Sequence, residues 1–167
     1  MLPKVSVMIT TYNHEEFIGQ AVAGVLEQQT DFDFEILVGE DCSADRTREI
    51  LVDLQARSPS NLRLLLRDHN WGGRRNFMDT FMSCKGEYIA LLEGDDYWTD
   101  PLKLQKQVDL LDSHRGLTIC FHRVAKLHEA SGRETLAPYR EPAADRFTMS
   151  DLLQRNFIPT CSVMFRN

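Results

Sequence analysis

Apolar positions along the first hundred residues follow two alternating periods. VSVMIT (Val5–Thr10) reads as a strand, and Ile18, Ala21, Val22, Val25 and Leu26 then recur at helical spacing. FEILV (Phe34–Val38) is a second strand, followed by a helix from about Asp45 that carries Ile50, Leu51 and Leu54. Ser58-Pro59-Ser60 breaks that helix, and LRLLL (Leu62–Leu66) is a third strand. The spacing predicts a helix over Arg74–Ser83 with Phe77, Met78 and Phe81 inward, ended by Lys85-Gly86 before the strand Tyr88–Leu92. Successive strands are about 25 to 30 residues apart, the length of a right-handed crossover. The expected fold is therefore α/β, a doubly wound, mostly parallel sheet with helices on both faces.

After residue 100 the rhythm changes. Pro101 suits the first turn of a helix whose Leu104, Val108 and Leu111 face the core, with Asp100 as its N-cap. Leu117–His128 and Glu134–Pro138 flank Ser131-Gly132 as a hairpin. Thr148 and Asp151 form a capping box for a short helix, and Cys161–Phe165 reads as a last strand. No repeat, low-complexity tract or linker interrupts the 167 residues, which are read as one domain. Residues 1–113 form its ligand-binding half, and residues 114–167 begin a second half.

Composition narrows the partners. A net charge of −6 argues against a nucleic-acid or membrane-surface binder. Apolar runs fall far short of the roughly 20 residues needed to span a bilayer. The N-terminus has no cleavage site of the secretory kind, and the four cysteines show no pairing or metal-ligand spacing, so a reducing, cytoplasmic location is expected.

In an open parallel sheet, ligands bind beyond the carboxyl ends of the strands. Those ends carry TTYNH, GEDCSAD, RDHNWGGRRN and EGDDYW. Neither GxGxxG, GxxxxGK[ST] nor GxSxG is present, which removes dinucleotide, P-loop and serine-hydrolase chemistry. Asp100 is explained as a helix cap, but Glu93, Asp95 and Asp96 crowd three carboxylates onto one turn. Ionised, they repel one another unless a cation intervenes. A hard divalent ion, Mg²⁺ or Mn²⁺, takes one or two such carboxylates together with substrate phosphates. Ser43 or Asp45 suits a cap of the second helix, while Glu40-Asp41 offers an acceptor for a base N–H. WGGRRN combines close backbone approach with two arginines, as a diphosphate cradle would. Trp71 and Trp98 suit either the lining of a sugar pocket or a cap on the core.

VSVMITTYNHEEFIGQAVAGVLEQQ, FEILVGEDCSADRT, NWGGRRNFM and GEYIALLEGDDYWTDPLKLQKQV, in this order and spacing, resemble the nucleotide-binding half of a family 2 glycosyltransferase; NFIPTCSVMFRN is similar to the strand that follows there. The resemblance implies the glycosyltransferase-A fold and inverting transfer from a nucleotide-diphosphate sugar, UDP most commonly, to a hydroxyl of a saccharide or lipid-linked saccharide. Such reactions serve polysaccharide or cell-envelope glycan synthesis. It implies that Thr10, Thr11, Tyr12 and Asn13 lie over base and ribose, that Asp41 binds the base, and that Arg74 or Arg75 supplies a basic contact. Glu93 stands where the family's motif has Asp; Asp95 would touch ribose or metal, and Asp96 would coordinate the metal.

The resemblance also implies a general base some distance past the last strand, so that residue is expected beyond Asn167. Neither Asp145 nor Asp151 is assigned the role. The chain is therefore expected to be a donor-binding fragment that transfers poorly, with the longer protein at most peripheral to the inner membrane face. The alternative is a non-catalytic nucleotide-sugar binding module. A nucleotidyltransferase would need a Gly-rich loop after the first strand, which is missing.

Overall fold

The computed structural model describes residues 2–57, 61–136 and 146–167. Its centre is a six-stranded sheet. The strands β1 (Val5–Thr11), β2 (Phe34–Glu40), β3 (Leu62–Leu66) and β4 (Tyr88–Glu93) are mutually parallel. They are separated by α1 (Ile18–Leu26), α2 (Thr47–Arg57) and α3 (Gly73–Met82), as crossover connections require. After α4 (Lys103–Ser113) come the short β5 (Ile119–Cys120), a detached hairpin of β6 (Ala125–His128) and β7 (Arg133–Leu136), α5 (Met149–Gln154) and β8 (Met164–Arg166). The sheet order is β3-β2-β1-β4-β8-β5, with β8 antiparallel to both neighbours.

The two faces of the sheet are packed differently. Val5, Val7 and Ile9 of β1 share one face with Ile36 and Val38 of β2 and with Tyr88, Ala90 and Leu92 of β4. That face is closed by Ile18, Ala21, Val22 and Val25 of α1, Leu51 of α2, and Leu104, Val108 and Leu111 of α4, all fully or nearly fully buried. Removing this apolar area from water is the main force holding the sheet to its helices. The opposite face carries α3, whose inward residues are Asn76 and Thr80 rather than the expected aromatics. Gly39 makes this possible, because a Cβ there would collide with the Thr80 hydroxyl and approach Asn76 Oδ1 to 2.8 Å. Asn76 Nδ2 donates to Gly39 O at 2.8 Å, so a polar seam fastens α3 to β2. Met78 points outward, half exposed, while Phe77 and Phe81 stack on each other at the margin and Phe81 stacks on Phe165.

Other boundaries also moved. Helix α4 begins at Lys103, because Asp100 Oδ1 takes the Leu102 N–H at 3.0 Å and holds Pro101-Leu102 in a turn. The last strand is shortened to Met164–Arg166, since Thr160–Ser162 coils into a 3-10 turn. Asn167, directly after it, is tied to the start of β4: its N–H donates to Glu87 O at 2.9 Å and its Nδ2 to Gly86 O at 3.0 Å. Leu117–His128 divides between β5 and β6. Thr148 and Asp151 form a reciprocal capping box, so Asp151 is a structural cap. The helix break at Ser58–Ser60, the hairpin end at Pro138 and Asp145 lie outside the described residues.

Candidate functional site

The carboxyl ends of β1, β2 and β4 are stapled side by side. Asp41 N–H donates to Thr11 O at 3.1 Å and Gly94 N–H to Thr10 O at 3.0 Å, so the segments after β2 and β4 both hang on the tip of β1. Arg67 N–H donates to Glu40 O at 3.0 Å and brings in the end of β3. The TTYNH turn is then tied to the α2 entrance. Asn13, in the left-handed region at φ 56°, accepts from Ala44 N–H at 2.8 Å and gives its own N–H to Ser43 Oγ. His14 N–H goes to Thr47 Oγ1 at 2.8 Å. Asp45 accepts from Glu15 N–H and Thr47 N–H; partial burial is outweighed by these bonds, which hold its carboxyl below the ordinary value.

The acids at the end of β2 have separate tasks. Glu40 is fully buried, paired with Arg48 and bonded by Ser43 N–H at 2.6 Å, and so closes the loop. Asp41 is 2% exposed and its Oδ1 accepts the backbone N–H of Trp71 at 2.7 Å. That bond sets Trp71, at the head of the WGGRRN segment, beside Asp41. The guanidiniums of Arg67 and Arg75 lie 4.5 and 4.1 Å from the Trp71 ring centroid. Arg67 is itself fixed by Asn76, Thr80 and Asp79. Arg74 is exposed at the start of α3, where Gly72 adopts φ 81° to turn the chain into the helix.

The three carboxylates at the end of β4 and just beyond it each meet a different neighbour. The Glu93 carboxyl is raised above the ordinary value by burial first, then by the charges of Asp96 and Asp95, with Thr160 acting in the opposite direction. Asp96 is likewise raised by burial, opposed by a hydrogen bond from Cys161 and reinforced by Asp95. Asp95, which is exposed, lies 4.0 Å from His14 Nε2. Gly94 is required here, because a Cβ would stand 2.5 Å from Thr11 Oγ1 and 2.7 Å from His14 Nδ1. Thr11 and His14 are themselves paired at 3.2 Å, with Thr11 3% exposed. Tyr12 is 43% exposed above this layer. Burial, helped by Asp96, pushes the Cys161 thiol up to about 12.

A pair of adjacent, mutually repelling carboxylates is an oxygen donor set that suits Mg²⁺ or Mn²⁺. Among the described residues no group of three or more His, Cys, Asp or Glu side chains could hold a metal ion. Two carboxylates are the number that a hard divalent cation takes when water and phosphate supply the rest of its coordination. Trp98, the other tryptophan, is 7% exposed with its Nε1–H on Cys161 O at 2.8 Å, so it belongs to the core. Sequence reasoning missed His14, which was visible in TTYNH, and Thr160 and Cys161, which no local pattern marks.

The family described as "Glycosyl transferase family 2" matches residues 6–167. The uncharacterized protein Rv1520 of Mycobacterium tuberculosis is 43% identical over 161 residues, which cover 96% of this chain and 46% of that protein. S. aureus TarS 1–349, solved in complex with UDP-GlcNAc, superposes with a TM-score of 0.59 at 29% identity, over 67% of this chain and 32% of that one. The mannosyltransferase PcManGT of Pyrobaculum calidifontis, solved with GDP-Man and Mn²⁺, gives a TM-score of 0.63 over 71% of this chain and 35% of that one; at 21% identity this shows the shared fold. The chain thus spans about half the length of that curated relative and about a third of each of these structures. No helix among the described residues is long and apolar enough to cross a membrane.

Proposed function

The chain belongs to glycosyl transferase family 2, and on that premise we propose that it holds the nucleotide-diphosphate sugar during metal-dependent, inverting transfer of the sugar to an acceptor hydroxyl. The observation that carries this reading is the placement of Asp41 and the Glu93-Gly94-Asp95-Asp96 turn on either side of the tip of β1. Two strand spacings, roughly 10 Å, separate β2 from β4. A base held at Asp41 and a diphosphate held at the acidic turn would leave the ribose over Thr10–Asn13.

Each residue then has a task. Asp41, fixed in orientation by Trp71 N–H, accepts the N–H of the base. Trp71, with Arg75 over it, walls the base side, and Arg74 stands free of that stack to meet anionic parts of the donor. Asp95 serves ribose or cation, Asp96 the cation, and Glu93 supports the turn. A bound divalent cation would neutralise charge on the departing diphosphate, the electrostatic contribution that most lowers such a barrier. UDP is the favoured nucleotide, because the neighbour at 29% identity was solved with UDP-GlcNAc. The acceptor is proposed to be a saccharide or lipid-linked saccharide of a cell-envelope polymer, met at the cytoplasmic side. Residues 1–113 would serve the donor and residues 114–167 the acceptor. The acceptor hydroxyl needs a general base, and that role is assigned to none of the described residues.

The test is calorimetry with UDP-, GDP-, dTDP- and CMP-sugars, with and without Mn²⁺. Binding of one nucleotide class that requires the metal and is lost in Asp96→Asn supports the reading. Binding that ignores the metal, or an absence of binding to all four, sinks it. A purely nucleotide-sugar-binding role would show the same affinities, with no transfer of the sugar to an acceptor.

A further inference from the structure

The chain turns in step as it leaves β1 and β2. Thr11 and Glu40, the last residues of the two strands, are register partners. Two residues further on, each segment passes through the left-handed region, at Asn13 (φ 56°) and Cys42 (φ 60°). The two turns run side by side, and Asn13–Glu15 is laced to Ser43–Thr47 residue by residue. Asn13 N–H donates to Ser43 Oγ at 3.0 Å, and Asn13 Oδ1 accepts from Ala44 N–H at 2.8 Å. His14 N–H donates to Thr47 Oγ1 at 2.8 Å. Glu15 N–H donates to Asp45 Oδ2 at 3.0 Å, and Glu15 Oε2 accepts from Arg46 N–H at 2.9 Å. Asn13 and Glu15 thus each spend a backbone donor and a side-chain acceptor on the neighbouring loop. Neither loop can shift along the other without breaking several of these bonds.

The lacing lies directly behind the residues proposed to meet the nucleotide. Tyr12, 43% exposed, precedes Asn13 on one loop; Asp41, whose N–H donates to Thr11 O at 3.1 Å, precedes Cys42 on the other. We propose that Asn13 and Glu15 are positioning residues of the donor site. Their side-chain oxygens, bound to the Ala44 and Arg46 N–H groups, hold the loop that carries Tyr12 in register with the loop that carries Asp41. The proposal rests on the reading of Tyr12 and Asp41 as the base and ribose side of that site. Asn13 and Glu15 are exposed, so water competes for these bonds and the core does not depend on them. What they govern is the fraction of the chain in which the two loops are aligned. A ligand that needs both loops binds with an apparent affinity reduced by that fraction. Loss of one ordinary hydrogen bond lowers it roughly 3- to 10-fold. The acidic turn hangs on Thr10 O through Gly94 N–H instead, so a diphosphate held there is independent of the lacing.

The experiment compares, by calorimetry on the whole chain with Mn²⁺ present, the affinities for UDP and for bare pyrophosphate. Asn13→Gly keeps the left-handed turn and removes the acceptor; Glu15→Ala removes the acceptor for Arg46 N–H. Each is expected to weaken UDP roughly 3- to 10-fold and to leave pyrophosphate near its unaltered affinity. Asn13→Asp and Glu15→Gln, which keep an acceptor oxygen, are expected to recover most of the loss. Unchanged UDP affinity in Asn13→Gly or in Glu15→Ala overturns the role of that residue. Equal weakening of UDP and pyrophosphate, in step with a lower Tm, overturns the proposal in favour of a purely structural role. Asn13→Asp as weak as Asn13→Gly also overturns the role of Asn13, since its amide N–H groups would then be what the donor meets. An unaltered chain that binds no UDP overturns the underlying donor-site reading before any variant is compared, and the positioning role falls with it.

Discussion

Asp41 Oδ1 accepts the backbone N–H of Trp71 at 2.7 Å, across 30 residues of sequence. One carboxylate therefore both closes the loop after β3 and faces the proposed base site, and the two roles can be separated by substitution. Asp41→Asn keeps an oxygen for Trp71 while giving up the charge that a base N–H would meet. Nucleotide affinity should fall about 10- to 100-fold, the loss of a charge-assisted hydrogen bond, with little change in melting temperature. Asp41→Ala loses both and should also destabilise the chain by about 1–3 kcal/mol. Equal weakening of UDP and bare pyrophosphate would show that Asp41 acts through the fold instead.

Asp96→Asn tests the cation. For donor and Mn²⁺ near 100 times Kd, linkage stabilises the chain by about 2.7 kcal/mol, a rise of roughly 5–10 °C in Tm at this size; the variant should lose most of the metal-dependent part. Without ligand it should melt at the same temperature or higher. Burial raises the Asp96 carboxyl in the folded chain, so ionisation costs stability. That cost is absent below the ordinary value of 3.8, grows as pH rises from there to the folded value, and is complete above it. The advantage of the variant should accordingly close in acid. An undiminished metal-dependent rise in Tm would remove Asp96 from the metal site.

Lys103 gives a pH dependence of a different kind. It is 4% exposed, its Nζ lies 3.8 Å from the Trp98 ring centroid, and burial pushes it down from 10.5 to about 7. Between those values the unfolded chain binds more protons, so stability rises with pH; below the folded value the full cost of burying an ammonium is present. Lys103→Met keeps the stem and removes the charge. Its Tm should exceed that of the unaltered chain at pH 7, and the gap should shrink toward pH 10. A gap that does not vary with pH would mean that the amine reaches water.

Gly94→Ala addresses the seat of the acidic turn. A Cβ 2.5 Å from Thr11 Oγ1 cannot be absorbed by side-chain motion, because Thr11 is buried and bonded to His14. Overpacking of this kind costs about 1–3 kcal/mol, and the displaced acids should bind Mn²⁺ more weakly. Wild-type stability and metal affinity in this variant would show that the turn does not rest on the β1 tip.

The alternation of apolar runs determined the four parallel strands, their crossover helices and the polar ends that form the site. Such patterns are local, since each strand or helix declares its buried face within a few residues. The crowding of Glu93, Asp95 and Asp96 was equally legible, because like charges on one turn demand an explanation wherever that turn lies. The partner of each acid was decided only by tertiary structure. Trp71 reached Asp41 because β3 lies beside β2, and Cys161 reached Asp96 because the segment before β8 folds back against β4. The polar inward face of α3 was hidden for the same reason. Met78 follows the apolar rhythm, yet Gly39 opposite Asn76 and Thr80 lets those two residues take the inner position. Contacts between distant segments depend on which strands become neighbours and on how closely the elements can approach, and no local period in the sequence encodes either.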